Sequence, residues 1–342
     1  MSNYLKKYQF KKLKDYSLSN NIDNEYEKIF DIDNKKLTLI TNKYPDPEYR
    51  NLIGSIKKEY KINNLVLGNG SEDLIIRINF LLKKMGTIGI VVPNFYRIIE
   101  TSGEYFEINP SEGIDSIYSN IDSLLINNNI KSIWISNPNP LTGKLYKRKE
   151  LLYLIKKYNK ILFIIDESAI DFLENVEDSS LINHSQKQKN LLVIRSFSKL
   201  YGMAGIRAAF ITGKAKVIEN IKEIGPTFPI SGLGEYLIMA TFKNKNRINK
   251  IKRKIKKNKI TIENALIKNN NIVINKSSTN CIFIKHKTEN IFKKLLKSKI
   301  LTLNLNTQKG ISKKNFVRIT IHSSDKLFND LYVSFKKNKI IN

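Results

Sequence analysis

Leu191-Leu192-Val193-Ile194-Arg195-Ser196-Phe197-Ser198-Lys199-Leu200-Tyr201-Gly202-Met203-Ala204-Gly205-Ile206-Arg207 joins an apolar run to a turn carrying two serines, a lysine and an arginine. Leu191 to Ile194 reads as a buried strand, and the glycines mark a loop before the next apolar run, Ala208-Ala209-Phe210-Ile211. Ser196, Ser198 and Arg207 are donors of the kind that hold a phosphate dianion. Lys199 offers an amine that condenses with an aldehyde on the same molecule. Pyridoxal 5′-phosphate (PLP) carries both groups, so this stretch suits a PLP site. Upstream, Ile164-Ile165-Asp166-Glu167 ends another apolar run in a carboxylate. Asp166 could there keep a pyridine nitrogen protonated, which makes the ring an electron sink. Each piece alone has a plainer reading, a solvated loop lysine or a helix N-terminus. Their order, each at the carboxyl end of a strand, argues for a ligand site.

Outward from this stretch, short apolar runs alternate with amphipathic ones. Strands are expected at Leu65–Leu67, Ile88–Val92, Ser132–Ile135, Ile161–Ile165, Leu191–Ile194 and Ala208–Ile211, with helices at Glu72–Lys84, Lys149–Tyr158 and Lys214–Glu223. This is the pattern of an α/β fold, a mainly parallel sheet sandwiched by helices. From about residue 245 the rhythm changes: a charged helix (Arg247–Asn269), Ile272–Ile274, Cys281–Ile284, a helix (Thr288–Lys297) and Phe316–Ile321 read as a smaller α+β C-terminal domain. The expected division is a large domain over 41–240 and a small one over 241–342, with the N-terminal segment 1–40 packing on the small domain. A chain of 342 residues with 41% hydrophobic content can supply both cores.

The excess of 59 Lys+Arg over 31 Asp+Glu, a net charge of +28, raises nucleic acid as a partner. The lysines are spread along the chain, however, and the one dense run, Lys250–Lys257, at helical spacing makes a solvated face. Nucleic-acid binding is therefore not the expected function. A single cysteine, Cys281, rules out an intrachain disulfide, and three histidines leave little for a metal site, so no metal is expected. No apolar run approaches a membrane span, and Met1-Ser2-Asn3-Tyr4-Leu5-Lys6-Lys7 has no signal-peptide core, so the cytoplasm is the expected compartment.

Residues 195–207 resemble the lysine segment of fold-type I PLP enzymes, with the closest match to histidinol-phosphate aminotransferases and the related threonine-phosphate decarboxylases. The resemblance extends over roughly residues 44 to 320. Gly68-Asn69-Gly70-Ser71-Glu72 is similar to the family's phosphate-cup segment, which implies that the amides of Ser71 and Glu72 reach the cofactor phosphate. Pro93-Asn94-Phe95-Tyr96 places Phe95 where the family stacks an aromatic on the pyridine ring. Asn137-Pro138-Asn139-Pro140-Leu141-Thr142-Gly143 resembles its Asn-Pro-Asn-x-Pro-Thr-Gly loop and implies Asn139 as amide donor to the cofactor's 3-oxygen, although Pro140-Leu141 replaces the usual order. Tyr44-Pro45-Asp46-Pro47 matches a segment whose tyrosine crosses a dimer interface to the neighbouring phosphate, which implies a homodimer. A Pro-Asp-Pro stretch also suits an exposed turn.

Two departures bear on the substrate and the cofactor. Ala169, in Asp166-Glu167-Ser168-Ala169-Ile170-Asp171-Phe172, stands where aminotransferases of this group place a tyrosine and the decarboxylases tend to use phenylalanine. Phe316-Val317-Arg318-Ile319-Thr320 matches the arginine that grips the substrate's carboxylate or phosphate, but Leu303 stands where a second arginine is expected. The resemblance implies fold type I, PLP as cofactor, Lys199 and Asp166 as catalytic residues, and a substrate that is a small amine or amino acid, phosphorylated or not. Transamination to a 2-oxo acid is the first reading and decarboxylation of a phosphoamino acid the second. A basic binding protein that kept the fold without catalysis is a third, against which intact Lys199, Asp166 and Arg207 speak.

Overall fold

The computed structural model describes residues 12–30, 32–110, 114–127, 130–308, 311 and 315–341. In chain order the strands are β1 (Lys14–Asp15), β2 (Leu65–Asn69), β3 (Thr87–Val91), β4 (Tyr105–Ile108), β5 (Ile130–Ser136), β6 (Leu162–Asp166), β7 (Leu191–Ser196), β8 (Ala208–Thr212), β9 (Ile272–Asn275), β10 (Cys281–His286), β11 (Ile300–Leu301), β12 (Leu303–Asn304) and β13 (Val317–Thr320). Seven of them form one sheet in the order β2-β8-β7-β6-β5-β3-β4. Neighbours from β7 to β4 pair parallel, whereas β8 runs antiparallel to both β7 and β2. The stretch 197–207 between β7 and β8 holds no crossover helix, so the chain turns back on itself there.

The sheet is buried on both faces because its residues are apolar at both parities. Phe163, Ile165, Leu191, Val193 and Phe210 pack on one side, Trp134, Ile164, Leu192, Ile194 and Ile211 on the other. Every expected strand of this sheet is present, and helices Gly70–Met85, Arg148–Lys157 and Ala215–Glu223 stand at the expected places.

The second sheet, β12-β13-β10-β9, is antiparallel and buries Ile282, Ile284, Val317 and Ile319 against helices Lys245–Ile267, Ile291–Lys297 and Asp325–Lys337. In the first of these helices Ile248, Ile251, Ile255, Ile262 and Leu266 face inward at spacings of three, four and seven residues, which turns the lysine run outward. The N-terminal segment joins this layer: β1 pairs parallel with β11, and Tyr16 donates from its hydroxyl to Leu327 O (2.7 Å). The first eleven residues of that segment lie outside the described residues. No helix among the described residues is long and apolar enough to cross a membrane.

Candidate active site

The carboxyl ends of the central strands converge on one cavity. Asp166 is the last residue of β6 and Ser196 the last of β7, while helix Gly70–Met85 starts directly after β2. Around Lys199 the wall is made by Ser71 from the first turn of that helix, Phe95 from the loop after β3, Pro138 and Pro140 after β5, and Asp166, Ser168 and Ala169 at the end of β6. Ser19 of the N-terminal segment and Thr279 ahead of β10 close it.

Asp166 Oδ1 accepts from the backbone amide of Ser168 (2.9 Å) and from its hydroxyl (2.5 Å). Burial pushes this carboxyl up, and the two Ser168 hydrogen bonds and the charge of Lys199 pull against it. The Lys199 amine is lowered to about 8, chiefly by burial and then by the charge of Arg318, while Cys281 and Asp166 act in the opposite sense. Below that pH the amine carries a proton and cannot attack an aldehyde. Uptake of PLP by cofactor-free protein is therefore expected to accelerate with rising pH and to level off above about 8. Stopped-flow absorbance measures this, and a rate that falls with rising pH would contradict it.

A cradle of donors suited to an anion lies near the lysine, close enough for the charge of Arg207 to act on its amine. Gly70 has φ +73°, and a Cβ built there would stand 2.4 Å from Arg207 Nη2, so only glycine lets this guanidinium lie against the start of the helix. Arg207 is itself left-handed (φ 57°) and is steadied by donation from Nη1 to Ala204 O (3.1 Å). The first amides of helix Gly70–Met85 have no partner within the helix and suit an anion. Ser198 N donates to Ser196 Oγ (3.2 Å), which folds the two serines onto the same turn. An arginine, two hydroxyls and a helix N-terminus beside a lysine and a buried carboxyl fit PLP at each of its functional groups but one.

That one concerns Asn139, where the geometry departs from expectation. Its Nδ2 donates to Pro93 O (2.7 Å), and its Oδ1 accepts from the amides of Leu141 (2.9 Å) and Thr142 (3.1 Å). The side chain thus builds the turn and lines the opposite groove, while Pro138 and Pro140 face Lys199. Asn139 is therefore not placed as the donor to the cofactor's 3-oxygen.

Other expected residues fall as follows. Phe95 stands in the cavity wall, edge-on to Tyr96 at 4.8 Å. Glu72 turns its carboxylate to Arg97 (2.6 Å), leaving its backbone for the cradle. Arg318 is 3% exposed, donates from Nη1 to Pro140 O (2.7 Å) and from Nη2 to Ser17 O, and lies opposite Leu303 in the β12–β13 ladder. Tyr44 lies away from Lys199's wall, 84% exposed and stacked on Phe228 at 4.9 Å. Cys281 is buried in β10.

Sequence reading missed Ser19, Ser168 and Thr279 as cavity residues, and Asn21, whose amide donates to Lys199 O (2.9 Å). It also missed a buried charge cluster behind the site. Arg195 Nη1 lies 3.2 Å from Glu167 Oε2, and its Nη2 donates to Asp171 Oδ1. The adjacency of Glu167 to Asp166 and of Arg195 to Ser196 is the one signal that could have drawn attention to it.

The family model for aminotransferase class I and II matches residues 20–331. The histidinol-phosphate aminotransferase of Pelagibacter ubique is 30% identical over 310 residues, covering 86% of this chain and 83% of that protein. Among solved structures, the histidinol-phosphate aminotransferase from Clostridium acetobutylicum superposes with a TM-score of 0.83 at 24% identity, covering 95% of this chain and 98% of that one. The enzyme of the same name from Sinorhizobium meliloti, solved in complex with pyridoxal-5′-phosphate, gives a TM-score of 0.84 at 15% identity, covering 98% of this chain and 93% of that one.

Proposed function

We propose, from the premise that this chain belongs to the class I and II aminotransferase family, that Lys199 is the centre at which it moves an amino group from a small anionic amine to a 2-oxo acid. The chain is a PLP-dependent enzyme of fold type I, similar in activity to histidinol-phosphate aminotransferases. The observation that carries the assignment to Lys199 is the meeting, at the strand ends, of this buried amine with Asp166 and with the Gly70–Arg207 cradle. Steady-state amino transfer to 2-oxoglutarate from candidate amines tests it. Absence of transfer from every small anionic amine would sink it, and release of carbon dioxide instead would favour the phosphoamino-acid decarboxylase reading.

When bound, PLP supplies the electron sink for a carbanion at the substrate's Cα. Arg207, Ser196, Ser198 and the amides of Ser71 and Glu72 would hold its phosphate, Asp166 would hold the proton on its ring nitrogen, and Phe95 would stack on the ring. Lys199 Nζ, lowered toward neutrality by burial, would be the base that takes the Cα proton and passes it on rather than returning it to Cα. Ser19 of the N-terminal segment and Thr279 from the small domain line the cavity, the Asn21 backbone amide ties that segment to Lys199 O, and together they would keep water from the exchange.

Substrate choice falls to Arg318. Its charge reaches the Lys199 amine, and its planar fork suits a carboxylate or phosphate. Leu303, directly opposite it, is packed with Leu141, Phe283 and Leu305 and brings no second charge. A substrate shorter than histidinol phosphate fits this single-arginine pocket. Arg318→Ala is expected to raise KM for anionic amines about 10- to 100-fold, the loss of one charge-assisted contact. Efficient turnover of histidinol phosphate by the unaltered protein would show that Leu303 is harmless.

A homodimer completes this reading. Tyr44 (84% exposed), Leu39 (57%) and Phe228 (39%) present an apolar surface near the start of the large domain. A Tyr44→Phe chain mixed with a Lys199→Ala chain is expected to regain part of the activity lost in each, through heterodimers with one intact site. A monomer in sedimentation that keeps full activity would contradict it.

A further inference from the structure

Sheet order decides which edge of a bound ring meets which wall. In the order β2-β8-β7-β6-β5, the groups suited to a phosphate lie on one side of Asp166: Gly70 and Ser71 after β2, Arg207 before β8, and Ser196 at the end of β7. Pro138 and Pro140, after β5, lie on the other side, and Ala169, three residues beyond Asp166, lines the same cavity. PLP carries its aldehyde para to the ring nitrogen, with the phosphate arm and the ring hydroxyl flanking the aldehyde on opposite edges. With the nitrogen at Asp166, the aldehyde at Lys199 and the phosphate at Arg207, the hydroxyl edge is turned to the β5 side.

We infer that the wall of Pro138, Pro140 and Ala169 gives the cofactor's ring hydroxyl oxygen no hydrogen-bond donor, so that the proton this oxygen shares with Lys199 Nζ in the joined state is held to alkaline pH. The inference rests on reading Lys199 as the PLP attachment point. Proline has neither a side-chain donor nor an N–H, and the side chain of alanine offers only a methyl group. The amide that could have served, Asn139, is committed to Pro93 O and to the turn amides. Ser168 gives its hydroxyl to Asp166 (2.5 Å), and Thr279 Oγ1 is paired with Ser277 Oγ (3.1 Å). Ser71 stands at the helix start on the phosphate side, which leaves Ser19 as the remaining hydroxyl among the lining residues.

The chemistry follows from charge. Once Lys199 Nζ gives up the shared proton, the ring oxygen is a full anion, and a donor aimed at it would stabilise that state. Without one the anion is disfavoured and the proton stays. The charged and titratable groups facing Lys199 divide: Asp166 from β6 and Cys281 from β10 favour retention, while Arg318 from β13 and Arg207 before β8 oppose it. Arg318 directs its Nη donors to Pro140 O and Ser17 O, and Arg207 lies on the phosphate side.

A pH titration of the visible spectrum of the PLP-loaded protein, without substrate, reads the proton directly. The long-wavelength band of the protonated form is expected to persist through neutrality, with its midpoint well on the alkaline side. Ala169→Tyr and Pro140→Asn each restore a donor and are expected to lower that midpoint by about one to two pH units. Ser19→Ala is expected to leave it in place. A native midpoint at or below neutrality, or a midpoint unmoved in both donor variants, overturns the inference while leaving PLP binding intact. A midpoint that rises in Ser19→Ala overturns it by assigning the donor to Ser19. Absence of any visible band overturns it together with the reading on which it rests.

Discussion

Lys199→Ala is expected to lower amino transfer by about 10²- to 10⁴-fold or more while leaving the thermal midpoint nearly unchanged. The rate falls because the group that moves the Cα proton is gone. The fold does not depend on it, since the Lys199 amine carries a desolvation cost that alanine removes. Lys199→Arg is expected to fail as badly, because guanidinium keeps its proton at any working pH. The cradle at Gly70 and Arg207 is untouched in both variants, so PLP still binds, without covalent attachment. Steady-state rates beside a melting curve check this; a rate within tenfold of the native one would remove Lys199 from the chemistry.

Arg195→Ala is expected to destabilise the protein by about 3–5 kcal/mol. The side chain is 2% exposed, bridges Glu167 and Asp171, and lies with its guanidinium 5.0 Å from the Tyr60 ring centroid. Glu167 also accepts from Ser180 Oγ (2.6 Å) and Leu181 N (2.6 Å), and burial pushes its carboxyl up against the pull of Arg195. Removing the cation leaves two carboxylates without compensation in the interior. Because Glu167 and Arg195 flank Asp166 and Ser196, PLP affinity is expected to fall with stability. Urea unfolding gives the test: a loss below about 1 kcal/mol would mean that water reaches the carboxylates.

What could be read in the sequence was local. Strands β5, β6 and β7 are covered on both faces and therefore appear as continuous apolar runs, whereas β4, at the sheet edge with Tyr105 and Phe106 half-buried and Glu107 exposed, gave no such signal. Helix Ile114–Asn127 was not singled out although its apolar residues recur at helical spacing, because the aspartates, serines and asparagines between them have low helix propensity. That Asp166 and Ser196 end neighbouring strands, with Lys199 just beyond, was legible because a strand end fixes each within a few residues. Ser19 and the bond from Arg318 to Ser17 were not, because they join the N-terminal segment to β13 across some 300 positions. Asn139 was misplaced for a local reason: an asparagine oxygen that caps the next two amides builds its own turn, and between two prolines that turn points the amide away from Lys199.

The most direct test of the central claim is borohydride reduction of the PLP-loaded protein followed by peptide mapping. The expected result is one pyridoxyl group per chain on the peptide containing Lys199, prevented by prior addition of an amine substrate. Labelling of another lysine, or none at all in a protein that transfers amino groups, would contradict it.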